Sequence, residues 1–279
     1  MIYMKRKTRR ILFAVSFLLF LVFGYVAILY AQGYKYSFQD HRFVRTGAIS
    51  LKVNTDAKVY LDDKLAGSTS FLSNSFSRGG LVPHQHTVRV TQEGYTTWQK
   101  KALVQEGYLI DFPRVLILPE NEEARAELIA EIESLLYPSP LPSPAPTESL
   151  KLTPKPSKTI MTATTLSVNT DPYYVKNKVL YKNSVEPEIL AQNVLGFSIS
   201  RDQSKIVWFT TNNELWLMWL EDSNYQPYHK LNDKELITRF STKIKNIGWF
   251  KDNDHVAIDS LGYKIVETDT RGGINIIKL

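Results

Sequence analysis

From Ile11 to Ala31 the chain runs through 21 residues without Asp, Glu, Lys, Arg or His, and no other feature restricts its possible folds so tightly. As a helix rising ~1.5 Å per residue the stretch is ~31 Å long, matching a hydrocarbon core of ~30 Å. Fourteen of its residues are Ile, Leu, Val or Phe. Each favours insertion by roughly 0.3–0.6 kcal/mol near the bilayer centre, so the sum is several kcal/mol. Tyr25, Tyr30, Tyr34 and Tyr36 lie toward the far end, where amphipathic rings suit headgroup depth. Lys5, Arg6, Lys7, Arg9 and Arg10 precede the run and hold the N-terminus in the cytoplasm by the positive-inside rule. Everything after Gln32 is then expected to be exported. The competing reading is a cleaved signal peptide, with Leu29 and Ala31 as a weak cleavage site before Gln32. Signal cores run about 7–15 apolar residues, and this one is longer. An uncleaved single-pass anchor is the preferred expectation, and both readings export the main body.

The formal charge of +6 invites a nucleic-acid function. Five of the 34 Lys and Arg residues sit in the first ten positions, where there is no acid, which leaves 29 against 28 Asp and Glu. A protein that tracks a phosphate backbone needs its excess charge on the binding domain, because neutralising phosphates drives association. Here the excess lies on a tail, so no nucleic-acid partner is expected. There is no cysteine, and an exported domain without disulfides rests on packing alone.

Composition divides the chain further. Residues 1–10 are the basic cytoplasmic tail, 11–31 the membrane span, and 32–46 a polar, tyrosine-rich juxtamembrane stretch. Residues 47–119 are strand-rich. Residues 120–136 read as an amphipathic helix, with acids in the first turn and Leu128, Ile129, Ile132, Leu135 and Leu136 on one stripe. That stripe is expected to pack on the preceding domain, with a partner helix as the alternative. Residues 137–159 hold seven of the 13 prolines. They cannot join a sheet and favour an extended spacer. Residues 160–279 are again strand-rich.

In 47–119, short alternating runs are broken by turn chemistry. Ile49, Leu51 and Val53 share a face, as do Val59 and Leu61, and Val88 and Val90. Asp62-Asp63 reads as a hairpin turn and Gly94-Tyr95 as another. Strands at this spacing with no helix between them indicate an antiparallel sheet or small sandwich. Ala57, Val59, Leu61 and Asp62, then Gly67 with Thr69, then Pro83, His86, Val88 and Val90, then Gly94-Tyr95, together resemble the PEGA domain family. The chain departs from that pattern at four places. Asp63 stands for the turn glycine, Ser70 for the proline after Thr69, His84 for the glycine before the strand, and Thr55-Asp56 for the proline before the alanine. The resemblance implies a non-catalytic β-sandwich of bacterial surface and membrane proteins that contacts polymers or other proteins.

The distal region repeats itself. Residues 197–209 align with 247–259 at an offset of 50, pairing Phe197 with Ile247, Ile199 with Trp249, Asp202 with Asp252, Ile206 with Val256 and Trp208 with Ile258. The same offset pairs Leu215 with Ile265. Strand, Asp-centred turn, strand, turn, strand at this period is a propeller-blade signature. It resembles the WD40-like blades of periplasmic propellers, with Gln203 and Asn253 replacing the usual turn glycine. Leu215, Leu217 and Trp219 face one way and Trp216, Met218 and Leu220 the other. A strand apolar on both faces expects neighbours on both. About two blades fit, with the start of another near Tyr173, against at least about four for a closed propeller. A longer protein, or completion by self-association, is therefore expected.

Reactive chemistry is sparse. His84 and His86 share a strand face as half of a metal site, but with no cysteine and no acid cluster near them in sequence, surface histidines are the preferred reading. There is no Walker loop, no G-x-G-x-x-G, and no G-x-S-x-G spacing in residues 75–80. Arg271-Gly272-Gly273 reads as a turn. Trp208, Trp216, Trp219 and Trp249 either line a carbohydrate surface or fill the blade core, and core is preferred because each has apolar strand neighbours. No catalytic residue, cofactor or metal is expected. The fold class expected is mainly β: a transmembrane helix, a PEGA-like sandwich, then partial propeller-like blades. The function expected is that of a non-enzymatic binding or scaffold protein of the bacterial envelope. Its partners would be the lipid bilayer through 11–31 and an envelope protein or cell-wall polysaccharide. The alternatives are the gating part of an exported hydrolase that continues beyond Leu279, and a sensor working through a separate cytoplasmic partner.

Overall fold

The computed structural model describes residues 5–138 and 171–279, and the Pro/Ser-rich spacer lies almost wholly outside them. The chain is mainly β with one N-terminal apolar helix, and it divides into two compact units. Helix α1 (Arg6–Ala31) absorbs most of the basic cluster as well as the apolar run, and none of its residues is buried. It is long and apolar enough to span a membrane. Strands β1 (Tyr34–Ser37) and β2 (Arg42–Arg45) follow as an antiparallel hairpin where the sequence showed only a polar stretch. Tyr36 and Phe43 pack edge to face at 5.4 Å, and Tyr30 at the end of α1 meets Phe43 at 6.3 Å.

The first unit comprises the chain up to Glu122 together with residues 223–228 and 269–275. Its strands are β3 (Gly47–Val53), β4 (Lys58–Leu61), β5 (Lys64–Ser68), β6 (Ser75–Leu81), β7 (Gln85–Thr91), β8 (Trp98–Leu103) and β9 (Leu109–Val115). They form two sheets, β6-β3-β9 and β5-β4-β7-β8. One core lies between them. Ile49, Leu51 and Val53 meet Val59, Leu61, Val88 and Val90 there, all buried as the alternation requires. Trp98 and Phe112 pack edge to face at 5.3 Å within it. Asp62 and Asp63 adopt φ of 50° and 62°, the paired left-handed conformation of a two-residue hairpin turn. One expectation fails: β3 and β9 pair parallel, not antiparallel. Alternation fixes which side chains point inward but carries no strand direction. Here the chain leaves β8 in one sheet and takes up the open edge of β3 in the other.

The second unit comprises 123–222, 229–268 and 276–279. It contains nearly all of helix α2 (Glu122–Leu136), followed by strands β10 (Tyr173–Lys176), β11 (Val179–Lys182) and β12 (Glu188–Gln192). Then come β13 (Val194–Ile199), β14 (Lys205–Thr210), β15 (Glu214–Trp219) and β16 (Lys234–Arg239). The last are β17 (Asn246–Trp249), β18 (His255–Asp259), β19 (Tyr263–Glu267) and β20 (Ile276–Lys278). Each run is an antiparallel meander: three strands, then four, then four. Among the described residues no sheet closes on itself.

The repeat is visible in the register. Phe197 pairs with Trp208 and Ile247 with Ile258, while Ile199 pairs with Ile206 and Trp249 with Val256, so the offset of 50 holds across both first hairpins. It breaks at the next turn. Val207 pairs with Leu217 while its equivalent Ala257 pairs with Ile265, so Ile265 corresponds to Leu217 rather than to Leu215. The cause is the turn itself. Five residues (210–214) separate Phe209 from its partner Leu215, whereas three (260–262) separate Asp259 from Tyr263.

The doubly apolar strand finds cover on both faces. Leu215, Leu217 and Trp219 enter one core with Ile247, Trp249 and Val256. Met218, with Trp216 and Leu220 at its edge, enters another with Leu180, Leu190 and Trp208. Within the second unit the C-terminal end of the α2 stripe packs on β17. Gly248 leaves room for Leu135 and Leu136, and a Cβ there would come within 3.1 Å of Leu136. Tyr137 donates to Asp259 Oδ2 at 2.8 Å, and Asn246 donates to the Leu136 carbonyl. Leu128, Ile132 and Leu136 are buried. An apolar stripe announces burial, and its partner is whichever apolar face the tertiary fold leaves open.

Candidate functional site

Two concave surfaces and one polar cluster stand out. The larger concavity, in the first unit, has a volume of about 490 Å³. Leu103, Tyr108, Leu109 and Phe112 line it from β8, β9 and their connection, with Tyr228 and Arg271 opposite. Arg271 is held at many points. Its Nε and Nη2 donate to the Asp269 carboxylate at 3.0 and 2.6 Å, Nη1 donates to Gln226 Oε1 at 2.9 Å, and Nη2 donates to the Asp111 carbonyl at 2.8 Å. Its guanidinium carbon lies 4.8 Å from the centre of the Phe112 ring. Gly272 lets this turn press close: with φ of 68° and the Lys101 carbonyl 2.0 Å from where a Cβ would sit, no side chain fits. The bonds to Arg271 fix its side chain, and Asp269 compensates its charge. The lining also includes Gln85, Lys101, Gln105 and Gln226, so the cleft sets amide and cationic groups beside its apolar side chains. The sequence marked Arg271-Gly272-Gly273 as a turn but carried no sign of what it packs on.

The smaller concavity, about 230 Å³ in the second unit, is lined by Trp208 and Trp216 with Asn193, Thr210, Glu214 and Lys234. The two indoles lie nearly parallel, 6.2 Å apart at 7°. Trp216 Nε1 donates to Glu214 Oε2 at 3.2 Å, and Arg239 pairs with the other carboxylate oxygen. The bonds from Arg239 and Trp216 hold the Glu214 carboxyl below its usual range against the opposing effect of desolvation. Trp208, Trp219 and Trp249 are buried, as a core role requires. Trp216 alone of the four is half-buried. Aromatic faces beside amide, hydroxyl and carboxylate groups suit the mixed apolar and polar faces of a sugar ring.

The polar cluster is the one the sequence reading left incomplete. His84, just before β7, and His86 within it share a face, with ring centres 3.8 Å apart. The acid missing from the local sequence arrives from the turn after β4: Asp62 Oδ2 is 2.6 Å from His86 Nδ1. Asp62 Oδ1 accepts the Thr87 amide at 2.9 Å, and His86 Nε2 donates to the Val82 carbonyl at 2.9 Å. Burial alone would raise the Asp62 carboxyl, but the bonds from His86 and the Thr87 amide, and the two nearby imidazoles, bring it below its ordinary value. The signal for Asp62 lay in the pairing of β4 with β7, where Leu61 faces Val88.

The remaining candidates have structural roles. Asp202 Oδ1 accepts the Ser204 amide at 3.1 Å and Asp252 Oδ1 accepts the Asp254 amide at 2.8 Å, as turn formers do. Asp252 also accepts from buried His255 Nδ1 at 2.9 Å. His229 stacks on Trp219 at 3.5 Å, and His41 occupies the β1–β2 turn with φ of 52°. No protein-family model matches the chain, and no curated protein matches it either.

Proposed function

We propose that the chain is a membrane-anchored, extracytoplasmic, non-enzymatic scaffold of the bacterial envelope that presents its β-units for contact with other proteins or with surface polymer. In this reading the first unit is a PEGA-like sandwich and the meanders of the second are WD40-like propeller blades. The observation that carries the proposal is α1, an apolar helix of which no residue is buried. Water is a poor solvent for that surface, and a bilayer is the environment that matches its length and composition. Orientation follows from charge. Arg6, Lys7, Arg9 and Arg10 open the helix, where the helix dipole disfavours cations by about 0.3–1 kcal/mol each. Helix stability therefore does not account for them, and retention on the cytoplasmic side does. Tyr30, Tyr36 and Phe43 cluster at the opposite end, at the depth of an aromatic belt.

The absence of cysteine makes the test direct. Thr8→Cys and Ser73→Cys, made singly in the full chain, are labelled in intact cells with a membrane-impermeant maleimide. Ser73→Cys should react at once and Thr8→Cys only after permeabilisation. The opposite pattern, or labelling of neither until lysis, would overturn the exported topology. Retention of the detergent-solubilised chain on purified cell-wall polymer then tests the binding role. Trp216→Ala should abolish retention if the smaller concavity is the polymer site, and unchanged retention would remove it from consideration.

A further inference from the structure

We infer that Asp62, His84 and His86 form a binding site for a divalent transition metal of the zinc type on the surface of the first unit. One ligand atom from each of the three residues lies within 4.8 Å of the other two, so closure by up to about 1.5 Å brings them to the spacing of about 3.3 Å that bonds of about 2.0–2.2 Å to one tetrahedral ion set. Two imidazoles and a carboxylate are the donor set that zinc and its neighbours favour, and the hard, oxygen-seeking cations do not.

The surrounding bonds already orient the donors. The Val82 carbonyl can only accept, so His86 Nε2 carries the hydrogen of that bond and Nδ1 is the atom turned toward Asp62. A backbone carbonyl on the far nitrogen is the usual support of a metal-bound imidazole, fixing its tautomer and its angle. Asp62 is braced in the same way. Its amide donates to the Thr87 carbonyl at 2.9 Å and its Oδ1 accepts the Thr87 amide at 2.9 Å, which leaves Oδ2 directed at His86. Left-handed φ at both Asp62 and Asp63 places this carboxylate at the apex of the turn. His86 is buried while His84 and Asp62 are exposed, so the site is anchored on one side and reachable from solvent on the other.

Binding requires a small rearrangement. Adjacent ligands of a tetrahedral ion are about 3.3 Å apart at these bond lengths, and His86 Nδ1 and Asp62 Oδ2 stand at 2.6 Å. The turn therefore yields by less than an ångström, the proton shared between the two groups passes to solvent, and the ion takes its place. His84 closes the third position, and a water or a group from a partner takes the fourth.

The test uses the full chain in detergent, purified without a histidine tag. It is titrated with Zn²⁺ by calorimetry and with Co²⁺ by visible absorption, which reports coordination geometry. We expect one ion per chain, a tetrahedral Co²⁺ spectrum and a zinc-dependent rise in melting temperature. His84→Ala, at an exposed position, should leave the metal-free melting temperature unchanged and weaken binding by at least about tenfold, since even outer-shell losses cost about 10–100-fold. Asp62→Asn should do the same to affinity. Binding unchanged in His84→Ala, an octahedral Co²⁺ spectrum, or no saturable binding in the parent chain would overturn the assignment.

Discussion

Truncation of Ile132 to alanine tests where α2 belongs. The side chain is fully buried, between Leu128 and Leu136 at 6% and 5% exposure. Alanine removes three side-chain carbons, a transfer loss of about 2.4 kcal/mol at ~0.8 kcal/mol per carbon. The cavity left beneath the helix adds to this, within the usual range of about 2–5 kcal/mol. An isolated helix of this length is marginal in water, so α2 depends on the contact. We expect Ile132→Ala to lower the unfolding free energy of the second unit by about 3 kcal/mol. Half-buried Ile129→Ala should cost less. Urea unfolding of the detergent-solubilised full chain measures the loss, and hydrogen exchange locates it, with protection falling in β17 and β18. A loss below about 1 kcal/mol, or lost protection confined to β3–β9, would falsify the placement of α2 on the last sheet.

Three further outcomes follow from buried polar groups and tight backbone. Lys205 Nζ sits 2.5 Å from Asp254 Oδ1, with side chains 6% and 11% exposed. Asp254→Ala should cost about 3–5 kcal/mol, whereas Lys205→Met combined with Asp254→Leu should cost less, as a thermodynamic cycle in urea would read. Burial opposes the charging of His255, but the hydrogen bond and charge of Asp252, with Glu267 and Asp254 nearby, outweigh it and raise its pKa. The stability it contributes is complete below the unfolded value of about 6.5 and is lost as pH rises through the folded value. Melting temperatures of the second unit should thus fall across that window, and Asp252→Asn should flatten the slope. A Cβ at Gly47 would lie 2.5 Å from Val104 Cγ1 and 2.6 Å from the Gln105 carbonyl, while one at Gly79 meets nothing within 4 Å. Gly47→Ala should therefore cost about 1–3 kcal/mol and Gly79→Ala almost nothing, by the same unfolding assay.

What could be read from the amino acids alone was local. A membrane-length apolar run, alternation such as that of Ile49, Leu51 and Val53, and the Asp62-Asp63 turn each depend on neighbours a few positions apart. The 50-residue repeat shows because the same local pattern occurs twice, and the register of both first hairpins follows it. Tertiary structure decided what those surfaces meet. The parallel pairing of β3 with β9, the seating of α2 against Gly248, and the arrival of Asp62 beside His84 and His86 join residues far apart in the chain. Periodicity states that a face must be covered, but a hydrophobic stripe and a carboxylate are chemically indifferent to which partner covers them. Only the closing of the whole fold makes that choice.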